Sequence, residues 1–320
     1  APAPADAGDA AKAIAASLMS GERKALFLGN TAAQHPQASQ LLALAQWIGT
    51  QVGATVGYLC ESGNSVGAQL VGALPRAGGF DAGQMLSRPM KALFLLGIEP
   101  AFDAANPVAA SEALKTAGLV VSMTPFKDAN TDIADVLLPV APFTETGGAL
   151  INAEGRLQSF HGVVKPLGDT RPAWKVLRVL GNLLGLPGFE QESVEEVRAE
   201  ALGDVATLAS RFDNTASAAV GVPTSAPGLD RITNVPIYAT DPIVRRAPAL
   251  QATADAAPAV VGLPSTLWQQ LGDKVVVTQG HTSVTLAARE DATLAANAVR
   301  LPAPHGAAMF GPITVERASA

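Results

Sequence analysis

Residues 91–139 read KALFLLGIEPAFDAANPVAASEALKTAGLVVSMTPFKDANTDIADVLLP, and the order of elements in this stretch decides the fold. Lys91-Ala92-Leu93-Phe94-Leu95-Leu96-Gly97 is an apolar run without polar alternation, the pattern of a strand buried on both faces, and Gly97 stops it. Asn106 followed by Pro107 is a helix start with a clear cause. The Asn side chain can accept from an orphan amide, and Pro at the first helical position gives up no hydrogen bond. That helix is expected to run to about Thr116. Gly118-Leu119-Val120-Val121-Ser122 then reads as another strand, and Val136-Leu137-Leu138-Pro139 as the next. Strands of this kind separated by helices predict an α/β fold, a parallel sheet with helices on both faces.

Working outward, Lys24-Ala25-Leu26-Phe27-Leu28-Gly29 repeats the strand signature. Pro36 and Ser39 open a helix in which Leu41, Leu44, Ala45 and Ile48 recur at helical spacing, with Gly49 placed to end it. From Gly53 to Gly83 the chain is rich in Gly and small residues. Gly63 and Gly67 suggest a phosphate-cradling loop, but no G-x-G-x-x-G follows a strand and no Walker lysine follows a glycine run. A tight loop with small side chains is the expectation there.

Downstream, Arg171-Pro172 opens a helix with Trp174, Leu177, Leu180 and Leu184 on one face, closed by Gly185 and Pro187. Ser193 with Glu196 forms a capping box ahead of a stripe of Val194, Val197, Ala201, Val205 and Leu208. These helices pack a core and are assigned no chemistry. Residues 214–258 are rich in Ala, Pro, Thr and Ser, which predicts a linker or surface excursion between an α/β domain at 1–213 and a small β domain at 259–320. In the latter, Lys274–Thr278 and Ser283–Ala287 flank Gln279-Gly280-His281-Thr282 as a hairpin, and Ala298–Pro302 adds a strand.

Composition bounds the function. Of 320 residues, 48% are hydrophobic and only 16% charged, enough for a packed core and against disorder. A net charge of −6 leaves no basic field for phosphate backbones, so no nucleic-acid partner is expected. The apolar runs are strand-sized, short of the ~18 residues a membrane helix needs, so no membrane insertion is expected. Ala1-Pro2-Ala3-Pro4 carries neither an initiator Met nor a basic leader, and reads as a cut in a longer chain. The single cysteine, Cys60, excludes an internal disulfide and fits a reducing compartment. It also cannot supply the four thiolates an iron–sulfur cluster commonly takes. His35, His161, His281 and His305 stand far apart, without metal-ligand spacing. No metal centre is expected within this chain alone.

Thr131 to Arg156 reads TDIADVLLPVAPFTETGGALINAEGR: an acidic turn, a buried strand, a Pro-punctuated exit, then a Gly-Gly loop leading to a polar cluster. Ligands of open α/β sheets bind beyond the carboxyl ends of the strands, which is where this loop falls. Glu145, Asn152, Glu154 and Arg156 bring two charge signs and an amide that could hydrogen-bond a ligand. They equally fit a loop in which Glu145 or Glu154 pairs with Arg156 and Asn152 holds a turn.

The run T-D-x-A-D-V-x-L-P, then E-x-x-G, then N-x-E-G-R resembles the signature of the molybdopterin oxidoreductase superfamily. It matches at Thr131, Asp132, Ala134, Asp135, Val136, Leu138, Pro139, Glu145, Gly148, Asn152, Glu154, Gly155 and Arg156. Gln158-Ser159-Phe160, Gly162–Gly168 (GVVKPLG), Arg171–Arg178 (RPAWKVLR) and Asp241–Gln251 (DPIVRRAPALQ) further resemble the large iron–sulfur subunits of bacterial NADH:quinone oxidoreductase, complex I.

The resemblance implies a molybdopterin oxidoreductase-like α/β part followed by a small β-barrel-like domain. It implies no cofactor in this chain, with the iron–sulfur clusters in a missing amino-terminal part of the parent subunit. Glu145, Gly148, Asn152, Glu154, Gly155 and Arg156 become a vestigial pterin-type loop, and no residue is catalytic. The implied role is a scaffold for electron transfer from NADH to quinone, partnered by other peripheral-arm subunits on the cytoplasmic side of the bacterial inner membrane.

The alternative is a cofactor-binding part of a formate-dehydrogenase-like molybdoenzyme, whose loop would contact the pterin nucleotide. A nucleotide-binding α/β domain of another enzyme would need a Gly-rich phosphate loop, and none is found. Cys60 sits in Tyr58-Leu59-Cys60-Glu61, which matches no ligand motif, and is expected to act as a small hydrophobe. His281 and His305 accompany no nucleophile motif and are expected to be ordinary turn histidines.

Overall fold

A computed structural model of the chain describes residues 7–220, 228–256 and 259–319; the Ala/Pro start at Ala1–Pro4 lies outside them. Contacts divide the chain into two units. The first holds 1–73, 150–158 and 204–225, and the second 74–149, 159–203 and 226–320.

In the first unit, strands β1 (Ala25–Leu28) and β2 (Thr55–Tyr58) pair in parallel, Ala25 opposite Thr55. The helix Ala38–Val52 connects them and runs past Gly49, the residue expected to end it. Gly49 is buried, and a side chain there would meet Val56 Cγ2 at 2.6 Å and Ala54 O at 2.9 Å. Its role is close approach of helix to strand; Gly53 supplies the left-handed cap instead. The Gly53–Gly83 stretch is likewise not one loop, since it contains β2 and the helix Ser65–Leu70. β2 is a strand because β1 pairs with it, not because Thr-Val-Gly-Tyr has a strong pattern of its own. Residues 205–216 fasten to the same unit. Asn214 Nδ2 donates to Val56 O at 2.9 Å, and Gln46 exchanges hydrogen bonds with Asn214 O and the Ala216 amide.

In the second unit, β3 (Leu93–Leu96), β4 (Val120–Thr124) and β5 (Val136–Pro139) form a parallel sheet in that order. β4 is central and buried throughout. The helix Pro107–Thr116 starts as its sequence predicts, Asn106 Oδ1 accepting the Ala109 amide at 2.9 Å. It buries Ala110, Ala113 and Leu114, and Leu114 packs with Leu93, Leu95 and Val120. β6 (Gly148–Ile151) and β7 (Leu157–Phe160) make a two-stranded sheet, of which residues 150–158 count with the first unit. The helices Ala173–Leu183 and Val194–Leu202 follow. The Ser193 cap is present on Glu196 N, but Glu196 reaches back to Glu192 N, not Ser193 N. The expected stripe to Leu208 breaks at Gly203, after which residues 205–211 form a 3₁₀ turn.

The carboxy-terminal part is a closed six-stranded barrel. Its strands are β8 (Leu229–Ile232), β9 (Val260–Leu263), β10 (Lys274–Gln279), β11 (Thr282–Glu290), β12 (Ala298–Arg300) and β13 (Pro312–Arg317). Around the barrel the order is β10-β11-β9-β12-β8-β13. Val261, Leu263, Val275, Val277, Val299, Leu301 and Ile313 fill the interior. The hairpin at 274–287 forms with a tighter turn than its pattern implies, Gln279 pairing directly with Thr282. The first barrel strand, β8, comes from within the 214–258 stretch that reads as linker. Leu-Asp-Arg-Ile offers no apolar run to betray it. Residues 221–227, 257 and 258 of that stretch lie outside the described residues. The fold is therefore a parallel α/β part followed by a β-barrel. Among the described residues no helix is long and apolar enough to cross a membrane.

Candidate functional site

The first half of the signature segment is architecture. Asp135 Oδ2 accepts the Val120 amide at 2.8 Å, tying the start of β5 to the start of β4. Thr131 Oγ1 donates to Lys127 O at 2.7 Å within the β4–β5 connection. Asn130, just ahead, is fully buried and donates through Nδ2 to Ser122 Oγ at 2.8 Å and Ile98 O at 3.0 Å. It links β4 to the exit of β3, and sequence does not single it out, because a lone Asn before an acidic turn carries no pattern.

The six candidate residues divide between the two units. In the second, Glu145 ends a 3₁₀ turn and its Oε2 accepts the Leu167 amide at 3.0 Å, pinning the GVVKPLG loop. Gly148 opens β6 beside the Phe160 ring, where a side chain would lie 2.7 Å from Cζ. In the first, Asn152 Oδ1 accepts the amides of Glu154 at 3.1 Å and Arg156 at 2.9 Å. Gly155 takes φ 78° against the Phe212 ring. These bonds close the β6–β7 turn with the side-chain chemistry that Asn and Gly bring to turns. Glu154 and Arg156 are both exposed, and among the described residues no ion pair joins either of them to Glu145 or to each other.

A second constellation lies beyond the carboxyl ends of β3 and β4, in the second unit. Asp241 Oδ1 accepts the amides of Ile243 and Val244 and starts the short helix Pro242–Arg245. Arg245 and Arg246, at the end of this helix, meet carboxylates on the strand exits. Arg245 Nη1 sits 2.9 Å from Glu99 Oε2, its Nη2 pairs with Asp103, and its Nε donates to Ala239 O at 2.8 Å. Arg246 Nη2 lies 2.7 Å from Glu99 Oε1 and 2.7 Å from Asp128 Oδ1, with Nε 3.2 Å from Asp128 Oδ2. The guanidinium carbons stand 4.8 Å from the Phe102 centroid and 4.5 Å from that of Phe126.

Glu99 is 2% exposed, and such a carboxylate is tolerable only when paired. The hydrogen bond from Arg246 holds the Asp128 carboxyl below its usual range. Burial would lower the Arg246 guanidinium, but its bonds to Asp128 and Glu99 outweigh that and raise it. Sequence marks Asp241–Gln251 as distinctive without a role; the acidic partners more than a hundred positions upstream cannot be read from it.

Elsewhere, Cys60 is half-buried and free, following β2. His281 occupies the β10–β11 turn. His305 lines a cavity with Arg231, and burial, then the Arg231 charge, lower its pKa. Among the described residues no group of three or more His, Cys, Asp or Glu is placed to hold a metal ion.

The class of protein that carries this geometry is given by a family model. Residues 7–183 match that of the molybdopterin oxidoreductases, and the chain belongs to that family. Over 121 residues it is 40% identical to the G subunit of NADH-quinone oxidoreductase from Mycobacterium bovis, and equally to that from Mycobacterium tuberculosis. It is 31% identical over 93 residues to a Staphylococcus aureus protein named as a putative formate dehydrogenase, and 28% identical over 132 residues to the probable oxidoreductase YjgC of Bacillus subtilis. These matches cover 35%, 29% and 40% of this chain but only 15%, 10% and 13% of the respective relatives. Acetylene hydratase from Pelobacter acetylenicus superposes with a TM-score of 0.48 at 19% identity, over 66% of this chain and 37% of that one.

Proposed function

We propose that the chain is a scaffold region of the large iron–sulfur subunit of an NADH:quinone oxidoreductase, supporting electron transfer from NADH to quinone without carrying a redox centre itself. The observation that carries this reading is the Arg245–Arg246 cluster at the carboxyl ends of β3 and β4. That is where an open α/β sheet offers its ligand crevice. Here the polar groups are spent on each other: two guanidiniums answer Glu99, Asp103 and Asp128. In the candidate loop Asn152 serves two turn amides and Glu145 the Leu167 amide, while Glu154 and Arg156 are exposed.

The similarity to the mycobacterial complex I subunits supports the same reading and extends it. The iron–sulfur clusters would belong to another part of the parent subunit. The partners would be other peripheral-arm subunits, in a peripheral position on the cytoplasmic side of the bacterial inner membrane. The physical contribution of this part is then a charge-locked body against which neighbouring redox centres are held in place.

The second reading, a cofactor-binding part of a formate-dehydrogenase-like molybdoenzyme, is favoured by the 31% identity to the Staphylococcus protein. One experiment separates the two. The purified chain is denatured and the supernatant assayed for pterin fluorescence, guanine nucleotide, iron and molybdenum. The scaffold reading expects a blank. Near-stoichiometric pterin overturns it in favour of the second reading and makes Glu145, Asn152 and Arg156 the residues to mutate.

A further inference from the structure

The second unit segregates charge along its sequence. Residues 161–178 set Lys165, Arg171, Lys175 and Arg178 against Asp169 alone, and residues 190–200 set Glu190, Glu192, Glu195, Glu196 and Glu200 against Arg198 alone. The fold brings both stretches to one short segment, residues 141–147. From the basic side, Val163 N donates to Thr144 O at 2.7 Å, and a side chain at Gly162 would stand 3.1 Å from Glu145 C. Arg171 O accepts the Ala141 amide at 2.9 Å, two residues ahead of Phe143. From the acidic side, Val194 opens the helix Val194–Leu202 and lies against Gly147, where a side chain would stand 3.5 Å from Val194 Cγ1. The basic loop, the Phe143 turn and the start of the acidic helix are therefore neighbours within one unit.

Between the two charges lies an apolar surface. Phe143, Val163, Val164 and Leu167 are 60%, 83%, 58% and 80% exposed. Their loop is fixed through its backbone. The Val163 and Val164 amides share Thr144 O, Leu167 N donates to Glu145 Oε2, and Leu167 O accepts both the amide and the hydroxyl of Thr170. The side chains are thus held in water by a loop already ordered, which lowers the entropy cost of covering them. Grouped apolar side chains rimmed by charge mark an interaction surface. Lys165, Arg171, Glu192 and Glu195 are exposed, and among the described residues no ion pair takes up any of them.

The charge pattern selects the occupant. A uniformly acidic protein would answer Lys165 and Arg171 and leave the glutamates opposed. An anionic membrane would meet the same glutamates, on a chain of net charge −6. A surface with cations on one side of an apolar centre and carboxylates on the other is complementary to itself under a two-fold rotation. We infer that this face pairs with the same face of a second copy of the chain. Phe143, Val163, Val164 and Leu167 meet their counterparts, and Lys165 of each copy faces Glu195 of the other. A centre of four side chains falls short of the ~800 Å² per partner of a standard stable interface, so the dimer is reversible and follows concentration and salt. The pairing does not depend on the scaffold reading, since it uses none of the Glu99 cluster.

The test is sedimentation velocity on the full chain over a range of protein concentrations, at low and high salt. The parent is expected to show a concentration-dependent monomer–dimer equilibrium that weakens as salt rises. Leu167→Asp, at a position too exposed to disturb the core, is expected to weaken the dimer about tenfold or more. Lys165→Glu and Glu195→Lys are each expected to be monomeric alone, yet to associate when mixed, because each then presents the charge that the other lacks. A parent that stays monomeric at every concentration overturns the proposal. So does an unchanged dimer in Leu167→Asp, or a mixture of the two charge variants that fails to associate. Vesicles of phosphatidylcholine and phosphatidylserine are the last arm: binding by the parent that is lost in Leu167→Asp would assign the face to a membrane and overturn the pairing.

Discussion

Glu99 is buried and His305 half-buried, and their surroundings differ. Two guanidiniums face Glu99. Glu99→Gln preserves the shape and removes the anion, leaving Arg245 and Arg246 partly uncompensated. Breaking a buried pair from one side costs about 3–5 kcal/mol, and urea unfolding of the variant is expected to show a loss of that order. Replacing Glu99 and Arg245 together is expected to cost less than the sum of the single changes, as coupled neighbours do. For His305, burial and then the Arg231 charge disfavour the protonated form. Its pKa is lowered in the folded chain, so below about 6.5 the unfolded state takes up the proton more readily than the folded one. Its contribution to stability is complete above that pH and declines as pH falls through the lowered folded value. Thermal midpoints between pH 5 and 7 should fall less steeply in His305→Gln than in the parent. Asp128 follows the carboxylate form of the rule: its contribution is present above about pH 4 and is lost as acid protonates it.

At the scale of the element, the turn Asn152–Arg156 is set by backbone demands. Gly155 combines a positive φ of 78° with a ring where a side chain would stand. Gly155→Ala is expected to cost more than ~1 kcal/mol, the usual Gly-to-Ala effect reversed in sign by strain and clash. Asn152→Ala, which loses an acceptor for two amides, is expected to cost about 0.5–1.5 kcal/mol, read by chemical denaturation. The strands at 25–28, 93–96, 120–124 and 136–139 are legible in the sequence because each is an apolar run ended by Gly, Pro or a polar residue. β2 and β8 are not. One carries Gly57 and the other Asp230 and Arg231, and both owe their strand state to partners distant in sequence. The candidate site divides the same way. Its polar residues can be picked from the E-x-x-G and N-x-E-G-R runs, and Asn152 finds its partners within its own run, but the partner of Glu145, Leu167, is 22 positions away. Helix starts are legible and helix ends less so: Gly49 is a glycine of contact, and only the fold tells that from a glycine of termination.

On the scale of the whole chain, each unit is assembled from three separate stretches of sequence. The barrel closes only because β8 stands between β12 and β13. A piece covering 259–320 carries five of the six strands and leaves β12 and β13 each with an open edge. That piece is expected to aggregate or show a poorly dispersed amide spectrum, whereas one beginning before Leu229 should give a dispersed spectrum and a monomeric sedimentation profile. A dispersed, monomeric 259–320 would show that closure by β8 is dispensable.

The lock on Glu99 also has a schedule. Arg245 follows Glu99 by 146 positions, and at ~5–20 residues per second that separation is roughly 7–30 s of synthesis. During that interval β3 and β4 can be made and paired, but the carboxylate at their exit has no counter-ion to be buried with. It must stay hydrated or take up a proton. The carboxyl end of the sheet therefore closes last, timed by the arrival of a dipeptide and not by the completion of its own strands.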